Sequence, residues 1–329
     1  MTENILGINA LTLEEMAGRL RSHPSIRSKL GIASATKALG LTALSDGRPG
    51  DDAAALPCDG GYDLLAGEGF IPAFIEDDPW FAGWCAVMVN LSDIAAMGGR
   101  STAVIDQVWA PSAKAAAPLL QGLCDASAAY GVPLVGGHTN LSAQTLGLAA
   151  SVFGKAQRLI TSFDAAPGDL LIAAIDRRGN YRNFDNFCAA LDAPDGRLRG
   201  DLMLLPALAE DALVLAGKDI SQGGLIGTAL MLAECSSVGI DINLSEINPP
   251  NGIEVERWLR SFPSFGFLLS VAPENAQAVC KRFATRGIDA RAIGRITDGS
   301  AVTFRSGADS AVFWDHAQTP YLDLGANHA

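Results

Sequence analysis

The chain has 329 residues, 49% of them hydrophobic, and 35 glycines, enough for one large or two medium α/β or α+β domains with many tight turns. Its 24 basic and 36 acidic side chains leave a formal charge of −12, which excludes a general nucleic-acid or anionic-membrane surface, because phosphate backbones demand clustered Lys and Arg. An uninterrupted apolar run of membrane-spanning length and a basic start ahead of an apolar core are both missing, and the six cysteines are scattered without a CxxC pair, so a cytoplasmic protein with reduced thiols, most of them in the core, is expected.

The first element is a helix. Thr12-Leu13-Glu14-Glu15 has the capping-box pattern, and Leu13, Met16, Ala17 and Leu20 make an apolar stripe that stops before His23-Pro24. Residues 40–51, GLTALSDGRPGD, are turn-rich and predict a mobile loop leading into the first strand system. Strands are predicted at 62–66, 102–109, 132–135 and 146–153, with helices at about 79–97 and 112–130 between them, in one mixed α/β unit. Ala165-Ala166-Pro167-Gly168-Asp169 reads as an interdomain turn. A strand at 170–175 opens the second unit, with helices near 202–216, 224–237 and 274–286 and strands near 266–271 and 291–296. The expected divisions are 1–45 (helix and loop), 46–160, 165–310 and a tail at 311–329.

From Pro79 to Gly99 a single charged side chain, Asp93, interrupts an apolar stretch. Asp78 as N-cap and Pro79 at the first position start a helix that Gly98-Gly99 end, so Asn90 and Asp93 share one face. An ionised carboxylate in such surroundings costs several kcal/mol unless something positive or a donor meets it. Asp93 therefore either caps a neighbouring element or ligates a metal.

Four polar clusters stand beside glycines or at element ends, where backbone approaches a ligand closely: Gly50-Asp51-Asp52, Gly67-Glu68-Gly69, Asn90 to Asp93, and Lys218-Asp219-Ile220-Ser221-Gln222-Gly223-Gly224. Taken alone, Asp51 and Asp52 read as a solvated turn. Carboxylates converging on one cleft would instead need hard divalent cations, and magnesium with a nucleoside triphosphate is the commonest cargo of such a site. Two segments can hold phosphate: Gly136-Gly137-His138-Thr139 after a strand, and Ser221 to Gly224 at a helix start. His138 can orient a phosphate, act as general acid or base, or cap a turn. Arg177, Arg178 and Arg182 form either a solvated loop or a set of bidentate contacts to an anionic substrate. A GxxxxGK[ST] loop and a GxGxxG after a strand are both missing.

Five stretches, in order, resemble the aminoimidazole ribonucleotide synthetase superfamily: GDDAAALP at 50–57, VNLSDIAAMGG at 89–99, VGGHT at 135–139, Pro167-Gly168-Asp169, and DISQGGL at 219–225. That superfamily also contains thiamine-monophosphate kinase, selenophosphate synthetase, the hydrogenase-maturation dehydratase and formylglycinamidine ribonucleotide synthetase. The resemblance implies a two-domain α/β fold with mixed sheets. Its N-terminal domain would bind ATP and Mg²⁺ and form a shared β-barrel in a homodimer. It implies Asp52, Glu68, Asp93 and Asp219 as Mg²⁺ ligands, and Gly50, Asp51, Asn90, Gly136, Gly137, Thr139, Ser221 and Gln222 around the nucleotide. Catalytic roles fall to His138, Asp93 and Asp219, and the 40–51 loop would close over the triphosphate. Two positions depart from the kinase pattern, with His138 and Gln222 standing where the kinase has acidic residues. The segment Glu76 to Trp80 with GGHT looks like selenophosphate synthetase, yet no Cys precedes Cys58 to carry selenide chemistry. The leading expectation is an ATP- and Mg²⁺-dependent enzyme that phosphorylates a carbonyl or amide oxygen of a small, anionic metabolite for nitrogen attack or cyclisation. The alternatives are a small-molecule kinase of the thiamine-monophosphate type and a non-catalytic nucleotide-binding accessory protein.

Overall fold

The computed structural model describes residues 12–39, 49–182 and 184–324, so most of the expected 40–51 loop lies outside the described residues. The chain opens with α1 (Leu13–Ser22), α2 (Pro24–Arg27), a 3₁₀ turn at Ser28–Gly31 and α3 (Ile32–Leu39). The capping box forms as read: Thr12 N–H donates to Glu15 Oε2 at 2.8 Å and Glu15 N–H to Thr12 Oγ1 at 3.2 Å.

The first large unit contains β1 (Ala54–Cys58), β2 (Gly61–Gly69), α4 (Pro72–Asp77), α5 (Pro79–Ala96), β3 (Arg100–Trp109), α6 (Ala113–Tyr130), β4 (Leu134–Asn140) and β5 (Gly147–Ala156). Its sheet runs β1-β2-β5-β3-β4, antiparallel except for the parallel β3/β4 pair. Asp78 caps α5 through Phe81 N–H at 3.0 Å and Pro79 fills the first helical position. α5 is apolar all round because it is covered all round, by this sheet, by α6 and by the second unit. Two glycines permit the tight α5/α6 crossing: a Cβ at Gly122 would sit 1.9 Å from the Trp80 carbonyl oxygen, and one at Gly83 would sit 2.1 Å from that of Leu119.

The second unit contains β6 (Leu170–Ile175), β7 (Asn180–Tyr181), β8 (Asn186–Cys188), α7 (Arg197–Leu202), α8 (Leu204–Glu210), β9 (Ala216–Asp219), α9 (Gly224–Ser236), β10 (Gly239–Asn243), α10 (Val255–Arg260), β11 (Phe262–Pro263), β12 (Gly266–Val271), α11 (Ala276–Ala284), β13 (Asp289–Thr297), β14 (Ala301–Ser306) and β15 (Asp309–Asp315). Seven strands are ordered β15-β14-β10-β13-β6-β12-β9, and β11-β8-β7 form a small third sheet. One apolar cluster joins α1, α9 and α10 to the large sheet, and another joins α8 and α11. Ala95 and Ala96 at the end of α5 belong to this latter cluster, so the helix that begins under the first sheet finishes in the second unit. That continuity carries Asp93 to the junction.

The expected mixed α/β architecture is present. Among the described residues the five-stranded sheet is open, with β1 and β4 at its edges and no closed barrel. The predicted helix near 202–216 is instead α7 and α8 around Met203, followed by strand β9. Gly136 to Thr139, placed after the strand predicted at 132–135, continue β4 because their backbone pairs with β3. All six cysteines are free, but only Cys85 and Cys235 are fully buried, while Cys58 and Cys124 are exposed. Among the described residues no helix is long and apolar enough to cross a membrane.

Candidate metal centre

Three carboxylates from three distant parts of the chain meet at the junction. Asp52 lies in the bend before β1, Asp93 in the last turns of α5, and Asp219 at the end of β9. One oxygen of each lies within 4.8 Å of the others. Each is placed by a different local rule. Gly50, at φ +118°, lets the backbone pass so close to α9 that a Cβ there would sit 2.8 Å from Cys235 Sγ. Asp93 is held by the buried helix and is 8% exposed. Asp219 pairs with Phe267 in the sheet, and its carbonyl accepts from Thr228 Oγ1 of α9 at 3.2 Å.

The cluster is anionic and desolvated. Burial first, and then the neighbouring Asp219, Glu68 and Asp52, push the Asp93 carboxyl well above the usual carboxylate range. Asp219 is raised in the same way, by burial and then by Asp52. Burial also raises Glu68, on the exposed end of β2, with Lys29 opposing. Lys218 meets part of this charge. Its ammonium pairs with Asp52 Oδ1, donates to the Gly50 carbonyl at 2.9 Å, and is 5% exposed. Burial opposes its charge, but Asp52 holds it protonated. The Asp52 Oδ2 also accepts the Asp219 N–H at 3.2 Å. Asp51 accepts the Ser162 N–H, and burial pushes it up to about 6.

A hard divalent cation fits this donor set. Asp93 and Asp219 receive no side-chain hydrogen bond among the described residues, so three oxygen donors face one another without a proton donor to separate Asp93 from its neighbours. Two further buried oxygens beside the cluster in sequence, Asp51 Oδ2 and Asn90 Oδ1, have no hydrogen-bond partner among the described residues. Asn90 itself is fully buried and donates to the Ala86 carbonyl at 2.8 Å. Such orphaned acceptors are costly unless a ligand or ion meets them.

The structure brings together only part of the sequence-derived set. Gly50, Asp51, Asp52, Glu68, Asp93, Asp219 and Ser221 gather around the centre, Asn90 lies three residues before Asp93 in α5, and exposed Gln222 follows Ser221 just before α9. Gly136, Gly137, His138 and Thr139 run along exposed edge strand β4, with His138 in register with Gln107 and no hydrogen bond to the carboxylate centre among the described residues. The three arginines diverge. Arg177 pairs with Asp289 at 2.7 Å, Arg178 with Asp176 at 2.8 Å, and Arg182 with Asp78 at 2.7 Å. Sequence reasoning placed Lys218 in a polar cluster without giving it a role, and missed Lys29 and Ser162 as members of the site. Lys218 had a signal in its place next to Asp219, whereas Lys29 and Ser162 arrive only through the fold.

These features define a mixed α/β protein with a buried tricarboxylate centre where its two large sheets meet. Residues 50–156 match the AIR synthase related protein N-terminal domain and residues 193–306 its C-terminal domain. The chain belongs to the AIR synthase related protein family. It is 48% identical over 275 residues to the Synechocystis sp. protein sll0787, covering 83% of this chain and 85% of that one. It is 28% identical over 309 residues to the thiamine-monophosphate kinase of Synechococcus elongatus, covering 85% and 90%. In fold it is similar to Thermotoga maritima PurL complexed with ADP, with a TM-score of 0.75 and 17% identity, over 89% of this chain and 50% of that chain. The chain thus spans about half the length of that PurL.

Proposed function

We propose that this protein is an ATP- and Mg²⁺-dependent enzyme that transfers the γ-phosphoryl group of ATP to an oxygen of a small, anionic metabolite. The observation that carries the proposal is the meeting of Asp52, Asp93 and Asp219 within 4.8 Å, from both large units. Bound magnesium would neutralise the carboxylates and the triphosphate together and favour departure of ADP. The chain's residues supply position. Asp52, Asp93 and Asp219 hold the cations, with Glu68 at the rim; Lys218 fixes Asp52; and the Gly223-Gly224 start of α9 leaves backbone N–H groups without a side-chain cap beside Ser221. Arg177, Arg178 and Arg182 are engaged by carboxylates and receive no substrate contact in this reading.

In the transfer, the bond from the γ-phosphorus to the ADP oxygen breaks as a bond to the acceptor oxygen forms. In the leading reading that oxygen belongs to a carbonyl or amide, and a nitrogen then displaces it as inorganic phosphate. The second reading, in which phosphate stays on the product, is favoured by the similarity to thiamine-monophosphate kinase along nine-tenths of that enzyme. His138 and Gln222, in place of two acidic residues of the kinase pattern, favour the first. The open face of the five-stranded sheet, bearing Leu56, Leu65, Ile105 and Trp109 at 39–47% exposure, is the surface proposed to pair in a homodimer.

Calorimetric titration with the non-hydrolysable AMPPCP, with and without Mg²⁺, tests the proposal. Mg²⁺-dependent binding that Asp219→Asn abolishes is expected, and Mg²⁺-independent or undiminished binding overturns it. Following ³¹P from ATP into product or free phosphate then separates the two reactions.

A further inference from the structure

The segment ahead of the loop does more than cover apolar surface. It is fastened at several points to the second unit: Tyr321 Oη donates to the Ile26 carbonyl at 2.9 Å, Arg21 to the Val312 carbonyl at 2.8 Å, Arg19 pairs with Glu256 at 3.3 Å, and His23 Nε2 lies 3.0 Å from Arg260 Nη1. Ile26 is fully buried beneath it. The 3₁₀ turn that follows aims the Lys29 side chain inward at the start of α9. Its Nζ lies 3.4 Å from Ser221 Oγ, and its Cε would be 3.8 Å from a Cβ built on Gly223.

The two lysines of the centre behave differently. Lys218 closes on a carboxylate, as a structural counter-ion does. Lys29 stands in the field of Asp219, Glu68 and Asp52, yet no carboxylate among the described residues comes within ion-pair distance of it. Its one hydrogen bond among the described residues, to Ser221, leaves N–H donors beside the first turn of α9, which has no side-chain cap among those residues and where Gly223 stands at φ +106°. An ammonium that is half-buried, anchored by a whole helical arm and short of acceptors is arranged for an anion that is delivered with its own cations.

We propose that Lys29 contacts the γ-phosphoryl group of the bound triphosphate, making the N-terminal arm a working part of the site. This inference rests on the nucleotide reading above. A Lys29 that bridged only the α- or β-phosphate, or merely balanced the carboxylates, would not distinguish nucleotides by their third phosphate.

The test is calorimetric titration of the full chain with AMPPCP and with ADP, both with Mg²⁺, for wild type, Lys29→Met and Lys29→Arg. Removing one charge-assisted contact is expected to weaken AMPPCP about tenfold in Lys29→Met while ADP stays within about twofold, with Lys29→Arg recovering most of the loss. Equal losses for the two nucleotides, or none, overturn the role of Lys29 while leaving the nucleotide site intact. Wild type that binds neither nucleotide overturns the nucleotide reading itself, and this inference with it. Thermal melting of Lys29→Arg against wild type separates a lost contact from an unfolded arm, because Arg keeps the charge and the aliphatic stem.

Discussion

Replacing Asp93 by Asn separates binding from folding, because the two effects have opposite signs. Asp93 has a carboxyl oxygen within 4.8 Å of one from Asp52 and one from Asp219. At that distance and an effective dielectric of about 20, two ionised carboxylates repel by roughly 3 kcal/mol. The lysine on Asp52 and the upward shift of both Asp93 and Asp219 relieve part of this, so about 1–2 kcal/mol of repulsion should remain in the metal-free protein. No side-chain hydrogen bond to Asp93 exists among the described residues, so the amide forfeits none. Asp93→Asn should therefore raise the melting temperature in EDTA by roughly 2–6 °C. The same variant should lose the Mg²⁺-induced stabilisation of wild type, which amounts to about 2.7 kcal/mol at a hundredfold excess over Kd. Scanning calorimetry of both proteins in EDTA and in graded Mg²⁺ reads both effects. A lower melting temperature in EDTA, or an intact Mg²⁺ response, would refute a repulsive carboxylate centre built for a cation.

Gly122→Ala puts a methyl 1.9 Å from the Trp80 carbonyl oxygen in the α5/α6 crossing; overpacking of this kind should cost about 1–3 kcal/mol or more, read as a lower denaturation midpoint at unchanged slope. His23 is held below its ordinary value by burial and then by Arg260. The unfolded chain therefore binds its proton first: the contribution is fully present above the unfolded value near 6.5 and is lost as pH falls from there to the lower folded value. Melting of wild type should fall more steeply than that of His23→Asn between about pH 7 and 5, and parallel curves would refute this. His138→Ala should leave Mg²⁺·AMPPCP affinity within about twofold, since His138 lies on the exposed edge strand away from the carboxylate hydrogen bonds. A tenfold loss by titration would place that strand against the phosphates.

Local chemistry was legible wherever a short segment decides its own conformation. The Thr12 box, the Asp78-Pro79 start of α5 and the strands at 170–175 and 266–271 stand where the residues put them. Segments whose partner is remote were misread. The helix predicted near 202–216 breaks up before Ala216, and Ala216 to Asp219 becomes a strand because β12 offers it a backbone ladder. The glycines at 136 and 137 fall beyond the strand predicted at 132–135, and are drawn into β4 by pairing with β3.

By itself, the sequence determined the capped starts of α1 and α5, the kinds of residue available for chemistry, and the family to which the chain belongs, because caps, periodicity and motif order are properties of neighbouring residues. Only the tertiary structure decided that Asp52, Asp93 and Asp219 share one centre, that Lys218 balances Asp52, that Lys29 reaches Ser221, and that the three arginines part company. Apart from Arg178 with Asp176, two positions away, those relations span tens to hundreds of positions. They exist because a buried helix runs from one core into the next and an edge strand brings its last residue alongside, and packing of that kind leaves no mark in any short stretch of chain.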